Sequence, residues 1–278
     1  TGDISHGMTS FSWHGGSTVT NNGYIKVGSG NVIETSDNRE IANGRQSAGI
    51  VSITAGGVDA YTSAINNGTV ITGNQSTGMV VSNVNTGSLV SPTTEHFGHE
   101  YTAFAKNTGS ISTGDNSTGI MLNGLFGYAI NEGEITIGNG GITDSEGQYH
   151  LGSGILGSST AFNTAIVNAG TIKGGDKVAG LHNQSQMAVA VQQEGGSIVV
   201  GNESYGILTE GFYSGTSINE GNITTGDQSV GVKAFGGVAQ VLNSGDITVG
   251  NGVAVTDDEG NTHLILISSR KDAVFYHS

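Results

Sequence analysis

The chain has no cysteine, one proline, one tryptophan and few basic residues in 278, and each shortage removes a class of protein. Without thiols there is no disulfide framework and no thiolate chemistry. A chain that crosses an oxidising compartment unfolded gains from having nothing to cross-link. Aromatics make up only 6% of residues, so a compact globule would have few large side chains to bury, and the core must come from small β-branched residues. Nine Lys plus Arg face 23 Asp plus Glu, and the resulting charge of −14 opposes phosphate backbones, anionic lipid and heparin-like partners. Nucleic acid is therefore not an expected partner. No stretch approaches the ~18 apolar residues of a membrane span, so direct membrane insertion by this segment is not expected either. Thr1 begins with no basic n-region or apolar h-region, as in a mature or excised fragment.

What is present is glycine, 48 of them, together with Asn, Ser and Thr at low mean hydropathy. Disordered chains share that composition but seldom carry regularly spaced Ile and Val between fixed glycines. Here the phrase Asn-x-Gly-x-Ile/Val, then Gly-Asp/Asn-x-Ser-x-Gly-Ile/Val, recurs along almost the whole chain. Its clearest copies begin at Asn66, Asn107, Asn168 and Asn219, with partial ones at Asn21, Asn85, Asn131 and Asn243, and at Gln193 the pattern continues without its Asn. Uninterrupted steps are 24, 25, 26 and 24 residues, a period near 24.

Each unit offers three short strands: one around the Ile of GxI, one beginning at the GI or GV, and one before the next Asn, as in Phe126–Ile130. The first two are divided by a Gly-Asp-x-Ser turn, where glycine is expected to take positive φ. Three strands per period predict an all-β fold, a right-handed single-stranded parallel β-helix over residues 1–252 with corner insertions near 92–101 and 141–150. Leucine-rich repeats share the period but need several Leu and a helical segment per unit, which are missing. At ~4.8 Å per coil, roughly ten or eleven coils would make a rod about 50 Å long. Ile25, Val70, Ile111, Ile135, Ile172, Ile198, Ile223 and Ile247 should stack as one interior ladder. Ile50, Met79, Ile120, Ile155, Leu181, Ile207 and Val232 should form a second, and the repeat asparagines a third that satisfies buried amides coil upon coil. Residues 253–278 read as a β-hairpin that caps the coil or starts another region.

With these coils the sequence resembles the passenger domains of Gram-negative autotransporters, whose β-helices carry NxGxI and GxxSxGI units. The resemblance covers roughly residues 20–252. It implies export through an outer-membrane β-barrel and extracellular display at the bacterial surface. The family's functions include adhesion, self-aggregation, proteolysis and toxicity, so the likeness narrows function only in part.

Motifs that carry chemistry are scarce. Autotransporter proteases have a GDSGS nucleophile motif, and the nearest match is Gly114–Gly119 (GDNSTG). The same phrase recurs at 73–78, 201–206 and 226–231, whereas a triad needs one specially placed serine, so these serines read as turn residues. Gly152–Gly157 matches GxGxxG, but it falls at the repeat's SxGI position and reads as a coil corner. Asp115, Asp176 and Asp227 invite Ca²⁺ between coils, but Asn74, Asn139, Asn202 and Asn251 dilute the charge and favour a plain turn. Asp257–Glu259 reads as a hairpin tip. Neither catalysis, nor a metal, nor a cofactor is expected.

The candidate contact residues are therefore on loops. Glu95, His96, Phe97, His99, Glu100 and Tyr101 follow the single proline, Pro92, and break the repeat. Asp144, Glu146, Tyr149 and His150 occupy the second insertion. Trp13, beside Phe11 and His14, would serve as a sugar-stacking platform or as a cover for the end of the helix. The expected function is a noncatalytic cell-surface adhesin segment, whose long flat acidic side binds a host surface protein or glycan, or another copy of itself. The alternatives are a glycan-cleaving β-helix of tailspike type and a spacer presenting a distal domain.

Overall fold

The computed structural model describes residues 5–30, 47–55, 60–83, 101–143, 149–158, 161–256 and 262–265. It contains three eight-stranded parallel sheets and, among the described residues, no helix. Sheet A stacks His6–Ser12, Ser47–Thr54, Ser76–Asn83, Thr118–Asn123, Gly152–Gly157, Val178–Asn183, Tyr205–Glu210 and Val230–Phe235. Sheet B stacks Gly16–Asn21, Tyr61–Asn66, Ala103–Asn107, Phe126–Asn131, Asn163–Asn168, Met187–Gln192, Ser214–Asn219 and Val238–Asn243. Sheet C stacks Tyr24–Lys26, Thr69–Ile71, Ser110–Thr113, Glu134–Ile137, Thr171–Gly174, Ser197–Val200, Asn222–Thr225 and Asp246–Val249. The chain visits A, B and C in turn, so the fold is a right-handed parallel β-helix with three strands per coil. An antiparallel pair, Val253–Thr256 with Thr262–Ile265, follows the last coil.

The stack has eight coils, not ten or eleven, and spans about 34 Å from first strand to last. The excess chain sits within coils. Tyr61–Asn66 pairs directly with Ala103–Asn107, so the partial repeat at Asn85 adds no coil between them. The insertion at 141–150 contains a two-residue antiparallel hairpin in which Ile142 and Thr143 pair with His150 and Tyr149.

Both apolar ladders form. Ile25 aligns with Val70, Val70 with Ile111, and so on in register to Ile247. Ile50 through Val232 do the same on sheet A, and the register adds Met8 in front of Ile50. The glycine of each SxGI phrase makes room between the ladders. A Cβ on Gly119 would collide with Ile135 Cγ2 and with the Gly154 carbonyl, so the isoleucine of one sheet packs on bare backbone of another. Gly152–Gly157 is accordingly a strand of sheet A, not a corner. Among the described residues the buried hydrophobic side chains are Ile, Val, Leu, Ala and Met, with no aromatic.

The asparagine ladder forms with one break. Asn21 Nδ2 donates to Asn66 Oδ1 at 2.8 Å, and the same bond continues through Asn107, Asn131 and Asn168 to Gln192 Oε1. Gln192, one residue earlier than the sequence pattern places it, holds the ladder position between Asn168 and Asn219. Its corner runs to Ser197 with two extra residues, Glu194 and Gly195, and Gly195 takes φ +78°. The longer side chain does not meet the next coil. Gln192 Nε2 and Asn219 Oδ1 are both buried without a partner, and the ladder resumes only from Asn219 to Asn243.

A second ladder runs along the corner between sheets C and A. The Oδ1 atoms of Asn74, Asp115, Asn139, Asp176, Asn202 and Asp227 each accept the backbone N–H of the equivalent residue one coil on, at 2.6–2.9 Å. The left-handed residue of this turn is not the glycine but the residue after the Asx: Gln75, Asn116, Lys177, Glu203 and Gln228 have φ of 51–60°. The glycine is needed for a close approach, since a Cβ on Gly114 would occupy the place of Asn74 Oδ1.

Candidate binding site

The three outer faces differ in kind. Sheet C presents rows of Thr and Ser, and with its two corners it carries most of the described acidic residues: Glu132, Glu134, Glu203, Glu220, Asp246 and the three ladder aspartates. On sheet A, Ser47–Thr54 and Ser76–Asn83 are buried on both faces. Sheet B carries one largely apolar row on its outer face, among Thr, Ser and Asn positions. Its outward positions align Ile65, Lys106, Ile130, Val167, Val191, Ile218 and Leu242 as an external ladder in which Lys106 alone is charged, bonded to Glu132 at 2.8 Å.

The aromatics excluded from the core collect on the same side. Phe11, Trp13, Tyr61, Tyr101, Phe126, Phe162, Phe212, Tyr213 and Phe235 lie along the corner where sheet A turns into sheet B, and Phe104 and Tyr128 lie on the adjoining outer face of B. Among aromatic side chains that the structure describes, only Tyr24 and Tyr205 lie elsewhere. Parallel register places Phe104 beside Tyr128, and Tyr101 joins them in a stack with centroids 5.0–6.5 Å apart. Burial pushes the Tyr128 hydroxyl up from its ordinary range, helped by Tyr101 and Glu132. Edge-to-face pairs stand near both ends of the rod: Phe11 with Trp13 at 4.9 Å, and Phe212 with Tyr213 at 4.8 Å. Trp13 and Phe212 are 69% and 74% exposed.

Near the second pair, a polar chain crosses three coils. Ser153 Oγ lies 3.5 Å from His182 Nδ1, and His182 Nε2 lies 3.1 Å from Glu210 Oε2, which also accepts from Gln184 Nε2 at 3.4 Å. Serine, imidazole and carboxylate in that order resemble a nucleophilic triad, but Ser153 is buried at 1% exposure and its hydroxyl sits at the limit of hydrogen bonding. The arrangement instead fixes Glu210. The His182 hydrogen bond holds its carboxyl below the usual range, against the opposing effect of burial. The repeat serines likewise have structural partners. Ser117 Oγ donates to the Asp115 carbonyl and accepts the Ser76 amide, as Ser204 and Ser229 do in their own corners.

Of the sequence candidates, Trp13 and Tyr101 are brought to this one edge. Glu95, His96, Phe97, His99, Glu100, Asp144 and Glu146 lie outside the described residues; the described strands on either side of the first group, Ser76–Asn83 and Ala103–Asn107, belong to sheets A and B. Tyr149 and His150 form a hairpin strand between sheets C and A, away from the aromatics. The sequence reading missed Phe212, Tyr213, Phe235 and the external ladder. The available signal was that each aromatic falls just before or within the apolar run preceding a repeat asparagine. Ladder aspartates Asp115, Asp176 and Asp227 stand on alternate coils, separated each time by an asparagine. Comparison with protein families, curated proteins and solved structures gives no match for this chain.

Proposed function

We propose that the chain is a noncatalytic adhesion segment displayed at a bacterial cell surface, and that it attaches through the A–B edge and the outer face of sheet B. The observation that carries this reading is the segregation of the aromatics. None of the described aromatic side chains is among the buried core residues, and nearly all of them, some more than half exposed, lie along one edge of a rod. Exposed Trp, Phe and Tyr leave apolar surface in water and are enriched where a partner covers it. Among the described residues the acidic side chains stand mainly on the other side, so the reading moves attachment from the acidic flank to the described face with least charge.

The partner is a host surface molecule or a second copy of the chain. The test is attachment of beads coated with the fragment to host-cell layers and to one another. Replacing Tyr61, Phe126 and Phe162 with serine is expected to lower attachment severalfold while the far-ultraviolet spectrum stays that of β structure. Attachment that survives those changes, and falls instead when Glu134 and Asp246 on sheet C are replaced, would sink the proposal.

A further inference from the structure

We propose that the part of this edge in the last three coils binds a neutral saccharide, with sugar rings resting on Phe212 and Tyr213 and hydroxyls bonded to Glu210 and Gln184. This rests on the edge reading above and names the ligand for one stretch of it. Phe212 is 74%, Phe235 57% and Tyr213 55% exposed, and the edge-to-face contact of Phe212 with Tyr213 leaves ring faces open to solvent. Such faces accept the C–H surface of a sugar, while the polar groups that orient it must stand alongside. They do: Glu210, two residues before Phe212, is a hydrogen-bond acceptor held in place by His182 and Gln184.

Charge and size choose the ligand class. Glu210 has its partner in His182 and feels Lys233 nearby, so the patch is locally balanced and calls for no ionic ligand. The whole chain, at −14, repels anions. The patch spans three coils, about 10 Å from first strand to last. A strip of that length holds one or two sugar rings but not the ~800 Å² per partner of a stable protein interface.

The experiment titrates the full chain with neutral oligosaccharides of glucose, galactose, mannose and N-acetylhexosamine, followed by ligand-observed NMR. At least one should bind at roughly millimolar Kd or tighter. Phe212→Ser should weaken it about tenfold, ~1.4 kcal/mol, and Glu210→Gln severalfold, while Tyr24→Ser on sheet C should leave it unchanged. No binding at several times that concentration, equal binding by Phe212→Ser, or binding only of choline or arginine peptides overturns the proposal. The same variants in the bead assay separate the two readings. Attachment lost with Phe212→Ser but no saccharide bound overturns the saccharide and keeps the edge.

Discussion

Single side chains in this protein do their work by meeting copies of themselves. Asn131 donates its amide to Asn168 and accepts from Asn107 in a fully buried row. Removing it leaves Asn168 Oδ1 without its donor, while Asn107 Nδ2 keeps the Gly109 and Glu134 carbonyls, and an unsatisfied buried polar group costs about 1–3 kcal/mol. Asn131→Ala should therefore lower stability by about 1–3 kcal/mol in urea unfolding, whereas Gln192→Ala, whose Nε2 already has no partner, should cost less. The left-handed corners give the opposite sign. Gln228 holds φ of 56°, and glycine there relieves roughly 1–2 kcal/mol of steric cost, less what it gives back in chain entropy. Gln228→Gly should stabilise by about 0.5–1 kcal/mol. Glu210 sets a pH dependence. Because its folded-state pKa is lowered, the unfolded chain binds the proton more readily. Its contribution is present above the ordinary value near 4.5 and is lost as the pH falls through the folded value. The stability difference between wild type and Glu210→Gln should shrink toward zero on acidification from pH 6.

At the level of elements, the repeat made much of the fold legible. A 24-residue period with glycines and isoleucines at fixed offsets leaves one register, and all of the residues assigned to the two apolar ladders stand in them. The number of coils was not legible, because length divided by period counts insertions as coils, and only strand pairing shows that Asn66 follows directly on from Asn21. The positive φ was given to the glycine of Gly-Asx-x-Ser because sequence alone cannot separate a glycine needed for its dihedral from one needed for its missing Cβ. Of the aromatic edge, Trp13 and Tyr101 were legible as rare residues near breaks in the pattern. Phe126 and Phe162 were not, since an aromatic in an apolar run reads as core until strand alternation shows which way it points. Gly78 tests the packing rule. A Cβ there meets Ile111 Cγ2 and the Gly119 carbonyl, so Gly78→Ala should cost about 1–3 kcal/mol, and Ile111→Val in the same chain, which removes only Cδ1 and leaves Cγ2 in place, should not recover it.

Across the whole molecule, each coil touches only its neighbours, so stability is a sum of coil and interface terms. Charge follows the same one-dimensional rule. Asparagines between the ladder aspartates hold carboxylates two coils apart, about 10 Å. Asn139→Asp would put three on consecutive coils and cost roughly 1 kcal/mol per new neighbour at low salt. The loss should be largely restored by added salt or millimolar Ca²⁺, as thermal unfolding would show. The one interrupted joint, between Gln192 and Asn219, has a further meaning for a protein under tension. Pulled from its two ends, the rod should part there first, into a block of six coils and a block of two. Each coil that unwinds then pays out about 80 Å of extended chain. A tether that lengthens by many times its own folded length under load absorbs a shock that a stiff one would transmit to its point of attachment.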